Sequence, residues 1–273
     1  MTRTSRPRAA SRRHLLAADE PAAFELVNES GQAPVLLICD HASPRVPLAL
    51  RSLGLEEWQL LRHIGWDIGA AEVARALSRR LDAPLVLAGY SRLVIDCNRR
   101  PGDASSIPEA SDGVAVPGNR GLAKADSALR LGELFRPYHA AIEAALERWR
   151  GQGLVPALVA IHSFTPVFEG FERPWHIGVL WDQEARIARP LLEALGRQDG
   201  VVVGDNEPYS ARKPQGYSVT AHAAAKGYPH VAIEVRQDLI DTHHGAAEWA
   251  ERLAAALGPI LKDGSLYRVE HSP

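Results

Sequence analysis

Short apolar, β-branched runs recur along this chain, and most of them give out on residues that carry chemistry. VLLICD ends at Asp40 and His41, SRLVIDCN at Asn98 and Arg99, ALVAIHS at His162 and Ser163, HIGVLWD at Asp182, VVVGDN at Asp205 and Asn206, and HVAIEVRQD carries Glu234 and Arg236; PLVLAG is a further run of the same kind. Apolar runs this short, bounded by polar residues, suit strands buried on both faces of a sheet. Between them, apolar residues return at helical spacing over Leu55–Leu81, Ala123–Arg150, Glu184–Arg197 and Gly245–Leu257. Strands alternating with helices predict an α/β domain: a mostly parallel or mixed central sheet with helices on both faces. Ligands of such sheets bind outside the carboxyl ends of the strands. The polar strand ends are therefore the place to look for a site.

The organisation around that sheet is simple. With 46% hydrophobic residues, 273 residues can bury a core without disulfides, so residues 22–273 are expected to form one domain. Residues 1–21 are rich in Arg, Ser and Ala and read as a flexible arm, with a transit peptide or a weak nucleic-acid contact as alternatives. Cys39 and Cys97, each inside an apolar run, read as small core residues. Gly65 and Gly69 break the helical pattern and place Asp67 at a helix start, while the long stretch from Gly102 to Gly121 reads as a lid. A net charge of -2 argues against a nucleic-acid binder, and no apolar stretch reaches the roughly 18 to 20 residues that span a bilayer. A cytoplasmic protein acting on a small molecule is the expectation. No GxGxxG or P-loop follows a strand.

His41 and His162 stand at the ends of separate strands and could offer two imidazole nitrogens to a divalent metal. Asp67 is the first choice for a third ligand, with His63 orienting or replacing it. Neither HExxH nor paired cysteines are present, and hydrogen-bonded structural histidines are the alternative. Glu234 emerges from an apolar strand and needs a partner. It is either a general base for hydrolysis or half of a buried ion pair with Arg236, two residues on and on the same face. Arg99 beside Asn98 suits a substrate carboxylate, and Arg92 suits a carbonyl oxygen gathering negative charge; surface arginine is the alternative for both. Ser43 and Ser163 flank the histidines, yet no GxSxG elbow surrounds them.

The runs CDHASPRVP, HIGWDIGA, SRLVIDCNRRP, IHSFTPV, GDNEPYS and IEVRQDLI, in that order from Val35 to Ile240, resemble the N-formylglutamate amidohydrolase family. That family is more distantly similar to zinc carboxypeptidases and aspartoacylase, so the resemblance implies a zinc-exopeptidase-like α/β fold. It also implies a metal-dependent amidohydrolase that splits an N-acyl amino acid, such as N-formyl-L-glutamate, into formate and the free amino acid. The resemblance implies zinc ligation by His41 and His162, with Asp67 as the expected third ligand. It implies Glu234 as base, Arg92 as carbonyl polariser, and Asn98 and Arg99 as carboxylate binders. Tyr209 and His222 join as pocket residues, and Arg236 is counted with the substrate-binding set. One departure is Pro44, which occupies the position where aspartoacylase-like enzymes place a ligand Glu. A non-catalytic module that binds an acidic metabolite, and a hydrolase of the same chemistry for another N-acyl amino acid, are the competing expectations.

Overall fold

The computed structural model describes residues 14–212 and 216–270. In chain order its elements are β1 (Phe24–Val27), β2 (Val35–Cys39), α1 (Glu57–Leu60), α2 (Ala70–Leu81), β3 (Leu85–Ala88), a hairpin of β4 (Ala110–Ser111) and β5 (Val114–Ala115), α3 (Lys124–Arg130), α4 (Arg136–Arg150) and β6 (Ala157–Phe164). There follow a second hairpin of β7 (Val167–Phe168) and β8 (Phe171–Glu172), then β9 (Ile177–Leu180), α5 (Ala188–Gly196), β10 (Val203–Asp205), α6 (Ser218–His222), β11 (His230–Arg236) and α7 (His243–Leu261). A π-helical turn at Leu131–Phe135 joins α3 to α4.

The central sheet runs β1-β3-β2-β6-β11-β9-β10. β3, β2, β6 and β11 are mutually parallel, as expected of strands buried on both faces. Alternation sorts their side chains. Leu37, Cys39, Val159, Ile161, Val231 and Ile233 face α2, α5 and α7, whereas Leu36, Ile38, Leu158 and Ala160 face α4. By the same alternation Asp40, His162 and Glu234 emerge on the α4 face.

β9 runs antiparallel to β11, and β10 follows β9. This reverses one expectation: Asp182, Asp205 and Asn206 lie at the opposite edge of the sheet from His41, His162 and Glu234. After β10 the chain turns back through Asn206, at φ 55°, and returns across the sheet. It crosses at Gly178, where a Cβ would come within 2.0 Å of the Glu207 carbonyl oxygen. Gly178 is the register partner of Glu234, so the returning segment delivers Tyr209 to Glu234's side of the sheet.

SRLVIDCN is not a strand. Its backbone is satisfied by loops and side chains instead: Ser91 N–H donates to Arg45 O, Arg92 N–H to Gly65 O and Asp96 N–H to Ser106 O. The Leu93 and Val94 carbonyls accept from Asn119 Nδ2 and Arg130 Nη1. An apolar run buried among such donors has no need of a ladder. Arg130 also donates to Asn119 Oδ1 and Gly118 O, pinning the segment expected to be a lid.

Of the N-terminal arm, residues 1–13 lie outside the described residues, whereas His14 to Pro21 are docked rather than loose. Leu15 is buried, and the Leu15 and Leu16 amides donate to Glu133. No helix among the described residues is long and apolar enough to cross a membrane.

Gly178→Ala tests the return crossing. Overpacking of this kind costs about 1–3 kcal/mol, so urea unfolding should show a loss in that range; unchanged stability would mean the Glu207 segment yields freely.

Candidate active site

The hydrogen bond from the Asp67 amide to the His41 carbonyl, 3.0 Å, draws the start of α2 against the end of β2. Gly69 permits the turn between them, at φ +77° with the Ile240 carbonyl 2.1 Å from where a Cβ would stand. Asp67 then lies under both histidines: its Oδ2 is 3.2 Å from His41 Nδ1 and 2.7 Å from His162 Nδ1. All three residues are buried, and one ligand atom from each lies within 4.8 Å of the others, a group able to hold a metal ion.

Each imidazole is backed by a second carboxylate. His41 Nε2 is 2.7 Å from Asp96 Oδ1, and His162 Nε2 is 3.3 Å from Asp40 Oδ2. Asp40 is itself fixed by Tyr138 Oη at 2.9 Å and Ser218 Oγ at 2.5 Å. For His41 this contact is a hydrogen bond and favours one tautomer, whereas His162 Nε2 and Asp40 Oδ2 meet at ion-pair distance and Asp40 Oδ2 has no hydrogen-bond partner among the described residues. A ring that donates Nε2–H to a carboxylate turns the Nδ1 lone pair toward Asp67 unless it carries a second proton. Two arrangements satisfy Asp67 Oδ2 and the two Nδ1 atoms: two imidazoliums donating to Asp67, or a cation among two Nδ1 lone pairs and Asp67 Oδ2.

Electrostatics follow the same geometry. Burial opposes the charged form of His41 and of His162, but neighbouring carboxylates outweigh it and raise both above the ordinary imidazole range. Burial likewise opposes ionisation of Asp67 and Asp96, yet the histidines and Arg92 hold them far below the usual carboxylate range. Arg92 donates to Asp96 at 3.0 Å and to Asp67 at 3.4 Å.

Glu234 pairs in register with His162 across β6 and β11, on the same face. It is 8% exposed, and its Oε2 is buried with no hydrogen-bond partner among the described residues. Burial pushes its carboxyl up to about 7 against the opposing pull of His162. The expected ion pair with Arg236 does not form: Arg236 turns to Asp238, at 2.8 Å, because the chain bends after β11 and brings that carboxylate nearer.

The other residues singled out from sequence are spread more widely. Tyr209 approaches the site, with its hydroxyl 3.3 Å from Arg173 Nη1 and its titration raised by burial and by the Glu234 charge. Asn98 Oδ1 accepts from the Tyr217 and Ser218 amides and so caps α6. Arg99 lines a cavity of about 290 Å³ with Arg100, Asp103 and Tyr217, separate from the trio. His222 contacts His139 at 2.8 Å and Glu143 at 3.3 Å. His63 stands 3.5 Å from Asp112 on the β4–β5 turn, outside the trio. Ser163 Oγ donates to Ile68 O and Ser43 Oγ accepts from Arg45 N, so neither is paired with a histidine among the described residues. The residues that sequence reasoning passed over are Asp96 and Asp40, as histidine backers, and Arg173. A carboxylate inside so apolar a run as SRLVIDCN signals that a buried partner awaits it.

The folded state binds the Glu234 proton more tightly than the unfolded chain, so this group favours folding most below its ordinary value of 4.5 and withdraws that contribution as pH rises through about 7. In metal-free buffer the stability of Glu234→Gln relative to the parent should therefore rise by roughly 1–3 kcal/mol between pH 5 and pH 8. Urea unfolding at both pH values measures it, and a pH-independent difference would place the proton elsewhere.

Residues 33–241 match the family model for N-formylglutamate amidohydrolase. The chain is 30% identical over 249 residues to an N-formylglutamate deformylase of Pseudomonas putida, covering 85% of this chain and 91% of that protein. Among solved structures, a gene product of Agrobacterium tumefaciens is 35% identical with a TM-score of 0.87, over 91% of this chain and 98% of that one. An N-formylglutamate amidohydrolase of Ralstonia eutropha JMP134 shares the fold at 20% identity and a TM-score of 0.65, over 88% of this chain and 97% of that one. The matched span runs from before β2 to beyond β11 and holds every residue of the buried cluster; this chain belongs to the N-formylglutamate amidohydrolase family.

Proposed function

We propose that this chain hydrolyses the amide bond of an N-formyl amino acid, N-formyl-L-glutamate foremost, and that His41, Asp67 and His162 hold a divalent metal, zinc, for the reaction. Family membership supports the amide hydrolase and its substrate class. The observation that carries the mechanism is Glu234, a buried carboxylate with a partnerless oxygen in register with His162.

The donor set fits a metal. Two imidazoles and one carboxylate, with both rings backed by further carboxylates, form the kind of site that leaves zinc an open position. A divalent cation there supplies Lewis acidity toward the amide carbonyl and toward water. Asp96 holds the His41 imidazole in the tautomer that points Nδ1 inward, and Asp40 faces the corresponding nitrogen of His162.

Glu234 takes a proton from the water that attacks the formyl carbon, and its elevated pKa suits that exchange near neutral pH. As the C–N bond breaks, the same carboxyl returns the proton to the leaving nitrogen. The water oxygen departs in formate, and the amino acid leaves as a free amine. Arg92, held by Asp96 and Asp67, faces the carbonyl oxygen as negative charge gathers there. Tyr209 lines the substrate side of Glu234. Asn98, Arg99, His222 and Arg236 are engaged with other groups, and we assign them no step in the reaction.

A screen of N-acyl amino acids with and without chelator tests this. Chelator-sensitive release of amino acid from N-formyl-L-glutamate, restored by zinc, is expected; hydrolysis indifferent to chelation would remove the metal from the scheme. Glu234→Gln should abolish turnover while leaving the bound metal, measured by elemental analysis, stoichiometric. Asp96→Asn should weaken metal affinity or turnover by about 10–100-fold, as loss of a backing carboxylate does; an unchanged titration with metal would make Asp96 a packing residue only.

A further inference from the structure

Arg173 follows the β7–β8 hairpin and is 6% exposed, yet among the described residues no carboxylate pairs with it. Its guanidinium carbon stands 4.9 Å from the Phe168 ring centroid, 5.0 Å from that of Tyr209 and 5.7 Å from that of Phe164. Nη1 donates to the Thr165 carbonyl at 3.2 Å and to the Tyr209 hydroxyl at 3.3 Å. Nε and Nη2 donate to none of the described residues, and neither is sealed from the surface. Arg130 provides a partial contrast: both of its Nη groups find acceptors, in Val94 O, Asn119 Oδ1 and Gly118 O, and its buried Nε alone lacks a partner among the described residues. A buried cation without a counter-charge is costly, and ring faces offset only part of that cost. Two unused donors on one planar fork match the two oxygens of a carboxylate.

The guanidinium also stands close to the buried cluster. His162 and Phe164 alternate onto the same face of β6, and in register they lie beside Glu234 and Arg236 of β11. The Arg173 guanidinium over Phe164 is therefore one same-face step beyond the His162–Glu234 pair. Tyr209 arrives on the segment that crosses Gly178, the partner of Glu234 in β9. Because its oxygen accepts from Arg173, its own O–H remains available to donate. The other arginines are placed differently: Arg92 is committed to Asp67 and Asp96, and Arg99 lines the separate cavity beside α6.

We infer that Arg173, held by Phe164, Phe168 and Tyr209, receives a carboxylate of the substrate, with the Tyr209 hydroxyl as the second donor. This rests on reading the chain as a hydrolase of N-acyl amino acids. It makes Arg173 a specificity residue, selecting acidic over neutral substrates one step from the reacting bond.

The test is steady-state kinetics of Arg173→Met and Arg173→Lys on N-formyl-L-glutamate and on its two monoamides, each of which lacks one carboxylate. Arg173→Met should raise KM for N-formyl-L-glutamate by roughly 10²-fold with kcat largely kept. On the monoamide that lacks the recognised carboxylate, the parent enzyme should already show that loss, and the substitution should add nothing. Arg173→Lys should recover part of the KM, and it stands in as the test variant if Arg173→Met fails to fold by thermal denaturation. An equal loss on all three substrates, or a fall in kcat alone, overturns the inference in favour of a structural role. If the parent hydrolyses none of the three, the hydrolase reading fails instead. Calorimetric titration with glutarate then decides Arg173 separately: binding to the parent but not to Arg173→Met upholds the anion site, and equal or absent binding to both overturns it.

Discussion

One carboxylate oxygen, Asp67 Oδ2, is shared by two buried imidazoles from adjacent strands, and the surrounding architecture is arranged to make that contact tolerable. Asp67 reaches it only because Gly69 lets α2 start abruptly after the His41 contact. The rings hold their poses through Asp96 and Asp40, and those carboxylates need Arg92, Tyr138 and Ser218 in turn. Removing one member of such a network leaves a buried charge exposed to a low dielectric, so its cost spreads beyond one bond. The chain thus spends residues from both sheet faces and three loops on one small polar volume.

Within that volume Glu234 is the exception, because its environment satisfies one need and withholds another. Its neighbours are apolar above and below in β11, and the ion pair that would have neutralised it goes to Asp238 instead. A carboxyl left in this condition holds its proton to about 7. That is a poor arrangement for stability, and it is the one the proposed proton transfer calls for.

Most of the sheet was legible because buried strands announce themselves as apolar runs, and the His41, His162 and Glu234 placements follow from where those runs stop. Strand direction was not legible. Nothing in HIGVLWD or VVVGDN tells which way they run, so Asp182 and Asp205 were expected at an edge they do not occupy. SRLVIDCN misled for a different reason: its pattern records burial, and burial in an irregular segment looks the same as burial in a strand when Asn119 and Arg130 supply the hydrogen bonds. Asp96 and Arg173 escaped notice because their significance lies in what they touch, and long-range contacts leave no local spacing to read.

The sheet order has a consequence for how the molecule comes together. β11 sits between β6 and β9, although both of those strands precede it in the chain. Until β11 is made, β9 and β10 have no neighbour linking them to the parallel strands, and the sheet exists as two unjoined pieces. The strand that closes the gap is the one that carries Glu234. Pairings between residues so far apart in sequence pay a large loop-closure cost, which slows the folding of a sheet of this kind. Burying the Glu234 carboxyl is thus inseparable from joining the two pieces of the sheet, and the apolar surface covered by that junction offsets its cost.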